Sequence, residues 1–211
     1  MTQFQSKTLR KNSKRENKKA LILKSAERVF ARRGFRGARL AEIADEANLP
    51  KTNILYYFES KEQIYRAVCQ DVLDVWLNAL GDISDDVEPD QALERYIKAK
   101  MDLSLKRPEA SKVFAMEIIS GAPMISDYLS KDLKSWVDKQ VSVFEVWKVQ
   151  GLIRDVSPTH VLFMIWAVTQ TYADFQTQIK AVLGTKTIDK AEFDKAVATI
   201  TEVILRGLGT R

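Results

Sequence analysis

Residues 39–62, RLAEIADEANLPKTNILYYFESKE, contain the pattern that decides the fold. Small apolar residues recur there at the three- and four-residue spacing of a helix: Leu40, Ile43, Ala44 and Ala47. Asn48 interrupts this stripe, and Pro50 suits the first turn of a second short helix over residues 51–58. Two helices joined by so short a turn cross steeply and expose the second one's polar face, which suits a DNA major groove.

The second short helix offers side chains that can read DNA: Lys51, Thr52, Asn53, Tyr56 and Tyr57. Asn can bind the edge of adenine, Thr and Tyr can contact a thymine methyl group, and Lys can neutralise a phosphate. We expect Lys61 to contact a phosphate as well. The alternative is a solvated helix face with Tyr56 packed inside. Ser60 and Gln63 form a capping box that opens the next helix.

This stretch resembles the DNA-binding core of the TetR family of bacterial repressors. That family typically reads I-A-x-x-A-G-V-S-K-x-x-x-Y-x-x-F-x-S-K-E, and this chain reads IADEANLPKTNILYYFESKE. Asn48 replaces a frequent Gly, and Asn tolerates the left-handed conformation better than most residues. Pro50 replaces a common Ser, so we expect no side-chain cap there, and Leu55 stands where Tyr is common. The resemblance implies that Arg39 contacts phosphate, because the family often has a phosphate-binding Thr at that position.

Positive charge is concentrated around this motif. Residues 1–66 hold 16 Lys and Arg against 7 Asp and Glu, a net charge of +9. Residues 67–211 hold 17 against 21, a net charge of −4. This asymmetry is typical of a DNA-binding end joined to a body that does not touch DNA. Residues 1–15 are basic and lack periodicity, so we predict a flexible arm that follows phosphates or enters a minor groove.

The whole chain is predicted to be all-α, with no strand alternation and no repeat. Periodicity and helix-end signals indicate nine helices, over residues 16–33, 40–47, 51–58, 60–80, 90–106, 108–120, 126–150, 157–182 and 189–206. We expect a two-part architecture: the arm at 1–15, a three-helix helix-turn-helix DNA-binding domain at 16–60, and a helical ligand-binding and dimerisation domain at 61–211.

The helix predicted at 157–182 is apolar on two faces, which indicates burial on both sides. One face can join the protomer core. The other can meet a second protomer together with the final helix. Proteins of the TetR family pair through such a four-helix bundle, so the resemblance implies a homodimer.

Three segments, KTNILYYF within the stretch above, and FAMEIISGAP and FMIWAVTQTYADF beyond it, resemble the branch of the TetR family that regulates pyrimidine utilisation. This resemblance extends over nearly the whole chain. It implies that the effector is a pyrimidine base, uracil or thymine, and that no cofactor is required.

Candidates for an effector pocket are aromatic or polar residues on mostly apolar helix faces: Trp76, Phe114, Glu117, Trp166 and Gln170. Trp166 and Gln170 lie one turn apart, and an aromatic ring with an adjacent amide suits a planar base that carries C=O and N–H groups. The alternative is ordinary core packing, although Gln170 and Glu117 would need polar partners there.

The pattern of the remaining residues disfavours an enzyme. His160 is the only His, we expect it to be exposed, and there is no Gly-rich phosphate loop and no Cys/His cluster for a metal. No apolar run is long enough to span a membrane. The lone Cys69 fits a reducing cytoplasm.

Together these patterns favour a homodimeric, cytoplasmic, ligand-responsive regulator, in most cases a repressor, that binds double-stranded operator DNA and controls pyrimidine utilisation or nucleobase metabolism. One alternative is a TetR-type repressor of another ligand, such as a drug-efflux regulator. The other is a helical interaction protein that does not bind DNA.

Overall fold

The computed structural model describes the backbone of residues 2–78, 84 and 86–210, and side chains in these ranges from residue 14 onward. The described chain is helical, which confirms the all-α prediction. The helices are Thr2–Gly37 (α1), Leu40–Glu46 (α2), Lys51–Tyr57 (α3), Lys61–Asn78 (α4), Pro89–Lys106 (α5), Pro108–Ile119 (α6), the consecutive segments Ser126–Tyr128, Leu129–Leu133 and Lys134–Val149 (together α7), Pro158–Asp174 (α8), Gln176–Leu183 (α9) and Lys190–Leu208 (α10).

The predicted count of nine helices is wrong by one within this described range, because the segment at 157–182 is two helices. Phe175, with φ −113° and ψ 29°, lies outside the helical region and separates α8 from α9. Neither Gly nor Pro marks this break in the sequence.

The first helix begins at Thr2, whereas periodicity indicated a start at residue 16. Residues 2–15 contain neither Gly nor Pro and are rich in Lys, Arg and Gln, which favour helices without any apolar stripe. The side chains of residues 1–13, including most of the predicted arm, lie outside the described residues. At the other end, Gly34 has φ 65° and interrupts the regular helix at the predicted position.

The chain divides into two compact units. The first unit is Met1–Val72 with Val113–Ile125, and the second unit is Leu73–Lys112 with Ser126–Arg211. The predicted domain boundary after residue 60 falls just before α4, whereas this division falls inside α4. Helices α4 and α6 therefore each contribute residues to both units.

The first unit buries the apolar stripe of α1 and the facing residues of α2 to α4: Ile22, Ala26, Val29, Phe30, Ile43, Ile54, Phe58 and Ile64. Aromatic rings extend this core, since Tyr65 lies 4.9 Å from both Phe30 and Phe35, measured between ring centroids.

The core of the second unit is formed mainly by α5, α7, α8 and α10. Its largest fully buried side chains are Tyr96, Phe144, Trp147, Leu93, Ile97, Met101 and Leu162. Helix α5 packs against both α8 and α10. One residue on this buried face of α5, Lys100, is charged.

Candidate DNA interface and ligand site

The turn between α2 and α3 has the geometry that its residues predict. Asn48 has φ 51°, the left-handed conformation expected where the family often has Gly. The Leu49 N–H donates to the Ala44 carbonyl oxygen at 2.9 Å and closes the turn. Pro50 occupies the N-cap of α3 without a side-chain hydrogen bond. The turn is thus held by backbone hydrogen bonds.

Helix α3 has one buried and one solvent-facing side. Ile54 is fully buried, and the following Phe58 is 3% exposed. The predicted base-reading residues lie on the outside: Lys51 and Thr52 are exposed, Asn53 and Tyr57 are half-buried, and Tyr56 is 72% exposed. Tyr56 is therefore not packed inside, and its ring makes an edge contact with Tyr57 at 5.0 Å.

Ion pairs hold α2 against α1. The Glu46 carboxylate accepts hydrogen bonds from Arg32 at 2.5 Å and Arg28 at 3.2 Å. These guanidinium groups lower the pKa of Glu46. Arg39 is exposed at the start of α2, where its backbone N–H donates to the Glu42 carboxylate at 3.0 Å. Its guanidinium group is accessible for the predicted phosphate contact.

The start of α4 is fixed by the predicted capping box. The Gln63 N–H donates to Ser60 Oγ at 3.1 Å, and Gln63 Oε1 accepts from the Glu59 N–H at 2.7 Å. Lys61 is half-buried; its Nζ donates to the Ala38 carbonyl at 3.0 Å and lies 4.6 Å from the Phe35 ring centroid. The predicted phosphate contact of Lys61 would thus be made by a side chain that also ties α4 to the start of α2.

In the second unit, Trp166 lies at the centre of an aromatic group. Its indole N–H donates to the Tyr96 hydroxyl at 2.5 Å, and its ring lies 5.5 Å from Phe163 and 6.4 Å from Trp136. Tyr96 is 2% exposed, and burial raises its pKa. The hydrogen bond uses the only polar atom of the indole.

A buried lysine lies beside a second tryptophan. Lys100 is 3% exposed, and its Nζ lies 4.0 Å from the ring centroid of Trp76. Burial lowers the pKa of Lys100 to about 7, and Asp174 opposes this shift. The Asp174 carboxylate accepts a hydrogen bond from the Ser111 hydroxyl at 2.5 Å, and burial raises its pKa. A buried ammonium group beside an indole can donate hydrogen bonds to a ligand that offers carbonyl oxygens.

Gln170 is half-buried and lies between Trp166 and Asp174 along α8. Trp166, Gln170 and Asp174 follow one another at four-residue spacing on α8, and Tyr96 and Lys100 do so on α5. Helices α5 and α8 pack together, and the Ser104 hydroxyl donates to the Thr169 carbonyl oxygen at 2.9 Å. A strip of aromatic, amide and charged groups therefore lies between two core helices.

Phe114 and Glu117, the other predicted ligand residues, belong to the first unit. Phe114 is 8% exposed and Glu117 is 3% exposed. Glu117 Oε1 accepts a hydrogen bond from the Met124 N–H at 2.6 Å, and its carboxylate also interacts with Tyr65. Glu117 thus has the polar partners that its burial requires.

Sequence reasoning missed Lys100, Asp174 and Tyr96. A signal for Lys100 was present, because it lies on the stripe of α5 that also carries Leu93, Ile97 and Met101. Lys rarely lies on a buried face without a role.

Other functional classes find little support among the residues described. No group of three or more His, Cys, Asp or Glu side chains there could hold a metal ion. His160 is exposed, and Cys69 is fully buried, which raises the pKa of its thiol to about 12. None of the described helices combines the length and apolar character that a membrane crossing needs.

Comparisons with known proteins match the chain to two described families. Residues 22–68 match a family described as bacterial regulatory proteins, tetR family, and residues 69–211 match one described as YcdC-like protein, C-terminal region. The chain is 41% identical over 212 residues, all of both chains, to the HTH-type transcriptional regulator RutR of Escherichia coli K12. It is 28% identical to the HTH-type transcriptional repressor NicS of Pseudomonas putida over 89% of this chain and 90% of that one.

A solved structure shares the fold. AibR in complex with isovaleryl coenzyme A and operator DNA superposes with a TM-score of 0.67 at 19% identity, covering 88% of this chain and 97% of that one.

Proposed function

Because the chain belongs to the TetR family of bacterial regulatory proteins, we propose that it represses genes of pyrimidine utilisation and releases their operator when a pyrimidine base binds. It is a DNA-binding transcriptional regulator that responds to a small-molecule effector and forms dimers; it is not an enzyme. It acts in the cytoplasm, where operator DNA is accessible.

The DNA-binding role is assigned to residues 16–60, with residues 1–15 as a basic arm that follows phosphates. Helix α3 enters the major groove with its exposed face, which carries Lys51, Thr52 and Tyr56. Asn53 and Tyr57 complete the base-reading face. Arg39 and Lys61 bind phosphates on either side, and the net charge of +9 over residues 1–66 draws this end to DNA.

The effector role is assigned to residues 61–211, and the observation that supports it best is the buried Lys100 over Trp76. Uracil and thymine are planar and carry carbonyl oxygens next to N–H groups. Lys100 donates to a carbonyl, Gln170 pairs with an adjacent C=O and N–H edge, and Trp166 or Trp76 stacks on the ring. Burying a charge for a large apolar ligand would be unfavourable, which argues against a drug-type effector. Phe114 and Glu117 are retained as further candidates on α6.

The response to the effector is a shift between two conformations. The base binds one conformation of the dimer more tightly than the other, and that conformation spaces the two α3 helices wrongly for the operator. The effector and the operator must then weaken each other's binding by the same factor.

Calorimetry with uracil and thymine tests the effector assignment, and gel shift with operator DNA tests the DNA assignment. Gln170→Leu should abolish the heat of binding, because the buried edge of the base then lacks its partner. Operator affinity and dimerisation should stay close to those of the natural protein. Gln150→Leu, an exposed glutamine at the end of α7, is the matched control and should bind normally. Absence of heat with the natural protein would reject the pyrimidine effector, and normal binding by Gln170→Leu would reject the pocket.

A further inference from the structure

One buried hydrogen-bond acceptor in the second unit has no donor. Gln140, on α7, is 7% exposed, and its Oε1 lacks a hydrogen-bond partner among the residues described. Buried side-chain oxygens are almost always hydrogen-bonded in folded proteins, and those that are not call for an explanation. Two further buried atoms, Trp147 Nε1 and Thr201 Oγ1, also lack a hydrogen-bond partner among the residues described. Gln140 differs from them because it lies close to Trp136, whose ring is near that of Trp166.

Gln140 lies one helical turn from Trp136, the α7 residue whose ring is 6.4 Å from Trp166. Helices α7 and α8 pack together and are joined by a short connection, so they run antiparallel. In such a pair, the residue one turn after Trp136 on α7 lies opposite the residue one turn before Trp166 on α8. Gln140 thus faces α8 between Leu162 and Trp166.

Resting on the effector site proposed above, we propose that Gln140 contacts the ligand and determines its specificity, with Oε1 accepting a hydrogen bond from a ring N–H of the base. Trp166 separates this acceptor from Gln170, which lies one turn further along α8. The two amides then address different edges of one planar ring stacked on the indole. The ligand class that satisfies both is a heterocycle with two N–H groups flanking a carbonyl, as in uracil.

If Gln140 contacts the ligand, the protein should discriminate between bases that differ in one ring N–H group. A glutamine with only a structural role would not cause this discrimination. A site whose buried acceptor is paired only by the ligand rejects an analogue that lacks the donor. The natural protein should bind uracil roughly 10- to 100-fold more tightly than the N-methylated uracil whose methyl group replaces the hydrogen given to Gln140. Gln140→Met should bind uracil correspondingly more weakly.

The experiment is calorimetry on the full-length dimer with uracil, 1-methyluracil and 3-methyluracil. In Gln140→Met, the preference for uracil over one of the two methylated bases should fall about tenfold or more, while the preference over the other stays. Thr201→Val removes an equally unpaired buried oxygen from α10, so it is the matched control and should keep both preferences.

A denaturant unfolding measurement distinguishes a loss of ligand binding from a loss of fold. Without ligand, Gln140→Met should be at least as stable to denaturant as the natural protein, because an apolar group of similar shape replaces an unpaired acceptor. If Gln140→Met binds uracil within twofold of the natural protein and keeps both preferences, the assignment of Gln140 is wrong, whereas the pyrimidine effector stands. If the natural protein binds none of the three bases, the pyrimidine effector is rejected and this assignment with it.

Discussion

Lys100 is an unusual residue to find inside a helical core. Its ammonium group is shielded from water, and an aromatic face and the charge of Asp174 replace only part of its hydration. In the proposed effector site, a ligand that brings carbonyl oxygens to this ammonium group would offset part of the cost of keeping it charged.

The lowered pKa of Lys100 makes the stability of the unliganded protein depend on pH. The folded chain loses this proton near pH 7, whereas the unfolded chain keeps it to about 10.5. The unfolded state therefore binds more protons in this window, and the free energy of unfolding gains up to about 1.4 kcal/mol per pH unit as pH rises. Lys100→Met lacks this contribution, so its stability advantage should be largest below pH 7 and shrink at higher pH. Denaturant titrations over this range measure it; a pH-independent difference would contradict the burial of a titrating lysine.

Lys51 is the cleanest test of the phosphate contacts, because its exposed side chain has no structural role to lose. Lys51→Ala should weaken operator binding at every sequence and reduce the slope of log affinity against log salt by about one unit. Lys139→Ala, an exposed lysine on α7, should leave the slope unchanged. Equal slopes for all three proteins would place Lys51 away from the phosphates.

Lys61→Ala should reduce the slope as well, with an added loss of stability, because Lys61 also binds the Ala38 carbonyl.

At the scale of elements, the connection between α2 and α3 depends on one backbone conformation. Asn48→Ala should lower the free energy of unfolding by about 1 kcal/mol, because a β-carbon without a polar group is disfavoured in the left-handed region. Asn48→Gly should be neutral or stabilising. Thermal or denaturant unfolding of the two variants compares them directly. The reverse order would show that the Asn side chain, rather than the backbone angle, stabilises the turn.

The elements that the sequence predicted well are those whose ends have a chemical marker. Gly34, Pro50 and the Ser60–Gln63 box each impose a conformation or a hydrogen bond that is local in the chain. The break at Phe175 has no such marker and arises from the tertiary environment, so periodicity extended one helix across it. Of the residues in the proposed effector site, the sequence pattern singled out Trp166 and Gln170 on one face of α8. Trp166 and Gln170 share one helix, whereas Tyr96 and Lys100 lie on another, and the Trp166–Tyr96 hydrogen bond depends on how the two helices pack.

At the scale of the whole molecule, apolar side chains that one protomer leaves exposed are the candidates for the dimer interface. On and beside α8 and α10 these residues are Phe163, Met164, Val168, Phe175 and Val203, which are 37–63% exposed. Several large exposed apolar side chains on and beside two helices are typical of a subunit interface, so we expect the dimer to form here.

Met164→Glu should convert the dimer into monomers of 24.1 kDa and abolish tight operator binding. An unpaired carboxylate in an apolar interface would cost several kcal/mol of association free energy. Sedimentation and gel shift measure the two effects. Val149→Glu introduces the same charge at a more exposed valine at the end of α7 and should remain dimeric. A dimeric Met164→Glu protein would move the interface away from this face of α8.

The way the chain is divided also distributes its natural spectroscopic labels. All four tryptophans, Trp76, Trp136, Trp147 and Trp166, fall in the second unit, and the sole cysteine, Cys69, lies buried in the first. Tryptophan fluorescence therefore follows the second unit alone, while a thiol reagent reacts only when the first unit opens around Cys69. A chain that melts in one step gives two coincident curves. Curves that separate report, without any introduced dye, which unit comes apart first and which of them a bound base or operator protects.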